Sequence, residues 1–256
     1  MSGVGIYGYG RYDASGISGT RRTSDIELMG IDDLKWKHVS DVTYKRFGQL
    51  DALSKAAMAA TEMIGISELM GADIASETGI TLGTKDGCLG TDIDFRANAI
   101  ERDVSNPRLF AYTLPSTVCG DLAIRHGFQG ANACYMSEND NGVLALAEGF
   151  YLVESGELQG CLCLEVDALF EESASAANEF KMNLDTDRFS AYAFLLMNTD
   201  VAAGSPLGEF AFTPGEDCKM GSLRELCGLI ESRGKDVPIT KIGYDDLAVS
   251  IRGMER

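Results

Sequence analysis

Gly142-Val-Leu-Ala-Leu-Ala-Glu-Gly-Phe-Tyr-Leu-Val-Glu-Ser155 and, after Gly156-Glu-Leu158, the run Gln159-Gly-Cys-Leu-Cys-Leu-Glu-Val166 decide what fold this chain adopts. The first stretch places Val143, Leu144, Leu146, Ala147 and Leu152 on more than one face of a helix, and Gly156 supplies its stop. Apolar residues all round predict a buried central helix. The second stretch is short, apolar and bounded by a turn, which reads as a strand. Working outward, Ala131 to Met136, Gly79 to Gly83 and Val4 to Tyr9 are further strand candidates. Leu50, Leu53, Ala57, Ala60 and Ile64 recur at helical spacing and predict a helix over Gln49 to Ile64. Asp92 to Asp103 and Thr117 to His126 read as two more helices, and Ala191 to Met197 as another strand. Strands alternating with helices give an α/β fold, with helices packed on a mixed sheet. After that, Gly204 to Gly215 reads as a loop or linker, Ser222 to Ser232 as a helix, and Ala248 to Ile251 as a strand. The chain therefore divides into a main domain, residues 1–203, and an extension packing on it, residues 204–256. No internal repeat interrupts this pattern.

With 256 residues, 45% of them apolar, the chain can bury a sizeable core. Its 39 acidic residues outnumber 22 basic ones, and a net charge of -17 repels phosphate backbones and anionic membranes, so neither nucleic acid nor a membrane is an expected partner. An acidic carrier protein would need a local basic patch, for which Lys35, Lys37, Lys45 and Arg46 are the candidates; their plainer role is to solvate a surface. No basic, apolar leader opens the sequence and no apolar run reaches the ~20 residues that span a bilayer, so a cytoplasmic protein is expected.

Seven unevenly spaced cysteines do not resemble a disulfide framework. Cys161 and Cys163 share one face of their strand, but with His38 and His126 the only histidines, core packing is expected there and no metal or cofactor. Gly3-Val-Gly-Ile-Tyr-Gly8 matches G-x-G-x-x-G formally, yet lies inside a strand with no helix behind it, so nucleotide binding is not expected. His126 ends a helix, where a cation favourably meets the helix dipole.

Leu82-Gly-Thr-Lys-Asp-Gly87, Asn106-Pro-Arg-Leu-Phe-Ala-Tyr-Thr-Leu-Pro115 and Ile124-Arg-His-Gly-Phe-Gln-Gly-Ala-Asn132 follow one another in order. Together they resemble the N-terminal halves of the β-ketoacyl synthases, in the thiolase superfamily. Those enzymes have a strand ending in Gly-Thr, a Pro-x-x-Phe-x-x-x-x-Pro loop and an Ile-Arg-x-Gly-x-x-Gly-Pro approach to the nucleophile. The resemblance covers roughly residues 75 to 200. It implies a thiolase-like half in which a strand delivers a nucleophilic Cys to a sharp turn at a helix N-terminus, where the thiol is acidified and an oxyanion held.

Nine residues past Gly130 and sixteen before Ser155, the two spacings that locate that Cys, both fall on Asn139. A carboxamide accepts no acyl group, so the elbow Glu138, Asn139, Asp140 is degenerate. Cys134 lies five residues too early, inside the preceding strand. Asp185-Thr-Asp-Arg-Phe-Ser190 resembles the family's Asp-x-Asp-Arg-x-Gly, but the glycines that should follow are missing. The sequence also leaves no room for the second half and its two catalytic histidines. The resemblance then implies a chain-length-factor-like, non-catalytic subunit, paired with an active β-ketoacyl carrier-protein synthase in fatty-acid, polyketide or polyene-type biosynthesis. Ala131, Asn132, Ala133, Cys134, Tyr135 and Met136 would form the strand that pairs with the partner, and Phe110, Tyr112, Thr113 and Leu114 would line or plug its acyl tunnel. Two alternatives stay open: a homodimeric or carrier-protein-binding scaffold with no part in condensation, and an enzyme of altered chemistry using Glu138 or Asp140 as acid or base.

Overall fold

The computed structural model describes residues 3–21, 23–24, 31, 34–102, 106–138, 141–169, 188–212, 222–231, 243–244 and 247–250. The chain begins with β1 (Val4–Asp13), β2 (Gly16–Gly19) and β3 (Thr23–Ser24), then α1 (Trp36–Val39) and α2 (Ala52–Glu62). Short helices α3 (Ile66–Leu69) and α4 (Ala72–Ser76) lead to β4 (Thr78–Thr84), α5 (Leu89–Arg102), α6 (Pro107–Ala111) and α7 (Ser116–His126). Next come β5 (Asn132–Met136), α8 (Asn141–Glu154), β6 (Gly160–Leu169) and β7 (Arg188–Asn198). The C-terminal part holds β8 (Gly208–Phe212), α9 (Leu223–Glu231), β9 (Gly243–Tyr244) and β10 (Leu247–Ser250).

The strands form one mixed sheet in the order β5-β4-β6-β7-β1-β8-β10-β9, with β2 folded back on β1 and β3 paired to β2. β4 runs parallel to β5 and β6, whereas β7 is antiparallel to both β6 and β1. This is the expected α/β architecture. Cys161, Leu162, Cys163 and Leu164 have no exposure at all, because both faces of β6 are covered. Leu162, Leu164 and Val166 face a core shared with α2 and α7; Cys161 and Cys163 face a second core shared with α8 and α9. Burying each such Leu contributes about 1.5–3 kcal/mol.

α2 starts at Asp51, whose carboxylate accepts from Ser54 N at 2.9 Å, a cap worth about 1 kcal/mol. α8 is the buried helix read from its sequence: Val143, Ala145, Leu146, Ala147, Phe150 and Val153 are all buried. Gly149 lets it approach the sheet, since a side chain there would strike the sulfurs of Cys161 and Cys163. Core packing is thus what the structure shows for that cysteine pair.

One sequence expectation is corrected. Gly208–Phe212, inside the stretch read as a loop, is a strand that pairs with β1 and β10. Flanking Gly and Pro residues concealed the alternation of Glu-Phe-Ala-Phe. Among the described residues no helix is long and apolar enough to cross a membrane.

Candidate functional site

The elbow joins β5 to α8 at the C-terminal ends of the parallel strands. Ser137 N donates to Thr84 O at 3.3 Å, continuing the β4 ladder, and Ser137 O accepts from Asn141 Nδ2 at 3.1 Å. Thr81 Oγ1 donates to Ala145 O at 2.8 Å and ties the first turns of α8 to β4. A side chain on Gly83 would collide with the Asn141 carbonyl, so the N-terminus of α8 rests directly on the sheet. Glu138 is exposed, while Asn139 and Asp140 lie outside the described residues. What the described residues establish is the frame: the strand β5 and the buried helix α8, whose positive end lies on the side from which the chain enters it.

Two acids missed in the sequence reading stand beside this frame. Glu165 and Asp167 alternate on β6, on the same face as Cys161 and Cys163. Asp167 accepts from Lys85 N at 2.7 Å, Asp86 N at 3.2 Å and Thr84 Oγ1 at 3.0 Å, and burial still raises its carboxyl above the usual range. Glu165 accepts from Leu223 N at 2.7 Å; burial, then the nearby Asp167 and Glu225, push its carboxyl up to about 7. The available signal was two carboxylates in an otherwise apolar strand, a costly placement that requires partners.

Cys134 is half-buried and burial raises its thiol, which disfavours the thiolate a nucleophile needs. Burial likewise pushes Cys119 up to about 12. No group of three or more His, Cys, Asp or Glu among the described residues is placed to hold a metal ion. His126 corrects another expectation. Its side chain is only 10% exposed, burial lowers its pKa to about 4, and the ring stacks on Phe128 at 5.6 Å. It is an uncharged core residue at neutral pH, not a cation on the helix dipole. His38 accepts from Lys35 N through Nδ1 at 3.2 Å and closes the first turn of α1.

β5 ends the sheet, and no described strand lies on its outer side. Ile80 N donates to Ala131 O at 3.0 Å, and the register sets Thr81 opposite Ala133 and Gly83 opposite Tyr135. Backbone groups alternate in direction along a strand, so Ala133 and Tyr135 bond inward to β4. The N–H and C=O groups of Asn132, Cys134 and Met136 point outward. Ala131 itself precedes the strand. Beside this edge stand Phe110 and Leu114, each 63% exposed, and Met136, 60% exposed. The Phe110 ring packs on Phe95 at 5.7 Å, and Met136 lies with Pro115 over Gly87.

The four residues expected to reach a partner's tunnel divide in two. Phe110 and Leu114 face outward, and Thr113 is half-buried with its hydroxyl on Phe110 O at 2.8 Å. Tyr112 turns inward to a hydrogen bond with Asp121, and burial raises its phenol to about 12. Of the basic residues, Lys35, Lys37 and Lys45 are exposed, while Arg46 pairs with buried Asp121 at 3.2 Å. The segment carrying them is fastened by Arg125, which bonds Glu62 at 2.7 Å and lies over the Trp36 and Tyr44 rings.

No family model matches the sequence, and no curated protein matches it. Solved structures do. The chain is similar to the ishigamide ketosynthase/chain length factor, at 17% identity and TM-score 0.62, over 84% of this chain and 69% of that one. It is similar to a chain of the ketosynthase (ApeO) in complex with its chain length factor (ApeC) from Xenorhabdus doucetiae, at 14% identity and TM-score 0.60, over 98% of this chain and 100% of that one. A third likeness is to a type II polyketide acyl-carrier protein in complex with its hexaketide-bound ketosynthase, AntDE:AntF, at 17% identity and TM-score 0.58, over 84% of this chain and 70% of that one. At these identities the shared feature is the fold: this chain has the thiolase-like fold of ketosynthases and chain length factors.

Proposed function

We propose that this chain is a non-catalytic, chain-length-factor-like subunit that pairs with an active β-ketoacyl carrier-protein synthase in fatty-acid, polyketide or polyene-type biosynthesis. The observation that carries the proposal is the outer edge of β5, unpaired among the described residues and flanked by exposed Phe110, Leu114 and Met136. An edge of unpaired N–H and C=O groups beside an apolar patch is a liability in a lone protein and an asset in an assembly. Support comes from the end-to-end fit to a chain of a ketosynthase and chain length factor complex.

In this reading the partner's strand pairs antiparallel with β5, hydrogen-bonding to Asn132, Cys134 and Met136. Asn139 in the elbow makes the chain unable to carry an acyl thioester there, and Glu138 and Asp140 have no catalytic task. Phe110 and Leu114 reach the partner's acyl tunnel, and their bulk limits the product. Thr113 backs them, and Tyr112 acts from beneath by holding the loop to Asp121. Residues 1–203 form the ketosynthase-like half, and residues 204–256 extend its sheet through β8. No cofactor is required, and the cytoplasm is the natural place for such a subunit.

Co-expression with a full-length ketosynthase tests the proposal. A stable complex burying at least ~1,000 Å² is expected. A monomer that the ketosynthase neither binds nor needs for activity would defeat it. The second reading, a homodimer or carrier-protein scaffold, is favoured by the exposed lysines Lys35, Lys37 and Lys45, which suit an acidic carrier protein. Binding of carrier protein without any ketosynthase would support that reading instead.

A further inference from the structure

α9 is attached by an apolar face and by one carboxylate at each end. Leu223, Leu226, Cys227 and Ile230 enter the core on the α8 side of the sheet. At the N-terminus, Leu223 N donates to Glu165 Oε2 at 2.7 Å. At the C-terminus, Glu231 Oε1 accepts from Ser18 Oγ at 2.5 Å and pairs with Arg11 Nε at 3.3 Å. An anion at a helix C-terminus is disfavoured by the helix dipole, so Glu231 keeps its place through Arg11 and Ser18. Glu165 serves twice, because a side chain on Gly142 would strike its carboxylate. The same group therefore meets the first turns of both α8 and α9.

We propose that α9 is a detachable strap, latched at its two ends by Glu165 and Glu231, which comes away from β1 and β7 while the rest of the sheet and α8 stay folded. This stands whether or not the chain pairs with a ketosynthase. The latches draw on different elements, β6 for one and the β1–β2 hairpin for the other, so loss of either leaves the strap held by its apolar face and the other latch. Its release uncovers the part of the apolar face of β1 and β7 that it covers.

The Glu165 latch responds to protons. It faces Asp167 on its own strand and Arg224 and Glu225 on α9, with no acidic residue in the first turn of α8. Gly83 and Tyr192 flank it on β4 and β7, and the Tyr192 hydroxyl is committed to Asp13 at 2.8 Å. Opening the strap uncovers Glu165 and removes Glu225 from its side, so its carboxyl falls from about 7 towards the ordinary 4.5. Opening therefore releases a proton. It grows more favourable as pH rises from 4.5 to 7, by at most about tenfold per pH unit, and then levels off.

Hydrogen exchange on the full chain between pH 5 and pH 8, corrected for the intrinsic rate, tests this. The α9 amides are expected to exchange faster than those of β6, with protection falling several-fold per pH unit up to pH 7. Glu165→Gln keeps an acceptor for Leu223 N–H but no titrating proton, and should flatten that slope. Glu231→Ala removes an anion from a helix C-terminus and raises helix propensity, so as an isolated helix α9 would gain. As a strap it should loosen, exchanging several-fold faster with β6 unchanged. The proposal is overturned if α9 and β6 exchange as one unit in the unmodified protein, if Glu231→Ala leaves α9 unchanged or tightens it, or if Glu165→Gln keeps the original slope.

Discussion

β5 and β6 are the two neighbours of β4, both parallel to it, and they are specified in opposite ways. β6 is a run of Cys, Leu, Cys and Leu buried on both faces by helices of this chain. β5 is Asn-Ala-Cys-Tyr-Met, exposed at both ends and half-buried between. A strand in the middle of a sheet has to satisfy both faces and both edges from within its own chain. Among the described residues β5 is paired on one edge only, and exposed Phe110, Leu114 and Met136 stand beside the other. The difference teaches that β6 is enclosed by the fold on every side, whereas no described strand covers the outer edge of β5.

The largest expected effect breaks this comparison from the β6 side. Leu162→Asp places an unpaired carboxylate where there is no exposure and should cost more than about 5 kcal/mol, abolishing cooperative melting. Ala133→Asp on β5 should leave melting within about 1 kcal/mol of the unmodified chain, because that position is half-buried, yet weaken the complex with a ketosynthase at least tenfold. Equal loss of stability in the two variants would show that β5 is as deeply built into the fold as β6.

A pH titration of stability sharpens the same contrast within the core. Buried His126 has its pKa lowered from 6.5 to about 4, so its contribution is present above pH 6.5 and lost as pH falls towards 4. Glu165, raised from 4.5 to about 7, contributes stability that is present below pH 4.5 and lost as pH rises through 7. The two oppose each other between pH 4.5 and 6.5. Glu165→Gln should therefore steepen the acid-side loss, and a chemical-denaturation series showing no change in slope would contradict the Glu165 assignment.

Smaller effects are expected beside the open edge. Tyr112→Phe removes the hydrogen bond to Asp121 and should cost about 1 kcal/mol in denaturation midpoints. Phe110→Ala, at an exposed position, should stay within about 0.5 kcal/mol while shifting the chain length of the partner's product. An unaltered product spectrum would remove Phe110 from the tunnel. Thiol-directed ketosynthase inhibitors should leave no stoichiometric adduct at the elbow, since Asn139 does not attack them and burial suppresses the Cys134 thiolate. Mass spectrometry finding full acylation at Cys134 would revive an active site.

The main elements were legible wherever one residue pattern had one physical solution. Gly142 to Ser155 could only be a buried helix, and Cys-Leu-Cys-Leu only a covered strand, because solvent is incompatible with either. The ordered resemblance and the count to Asn139 likewise needed no coordinates. What lay beyond the sequence depended on distance along the chain. That Glu165 would meet Leu223, 58 residues on, or that Tyr112 would turn to Asp121 while Phe110 turned out, is decided by packing between elements. So is the state of His126: next to Arg125 in sequence, it looked like a helix-end cation, and only its burial against Phe128, which outweighs the pull of Glu62 towards the charged form, makes it neutral. β8 escaped notice because a strand flanked by Gly and Pro is chosen by the neighbour it pairs with, and β1 was some two hundred residues away. Local chemistry determined most of the helices and strands, and the count that sets an amide, Asn139, where the resemblance expects a thiol. Tertiary structure alone decided which edge stayed open and which charges went inside, since edges and burial belong to the assembled sheet and not to any stretch of it.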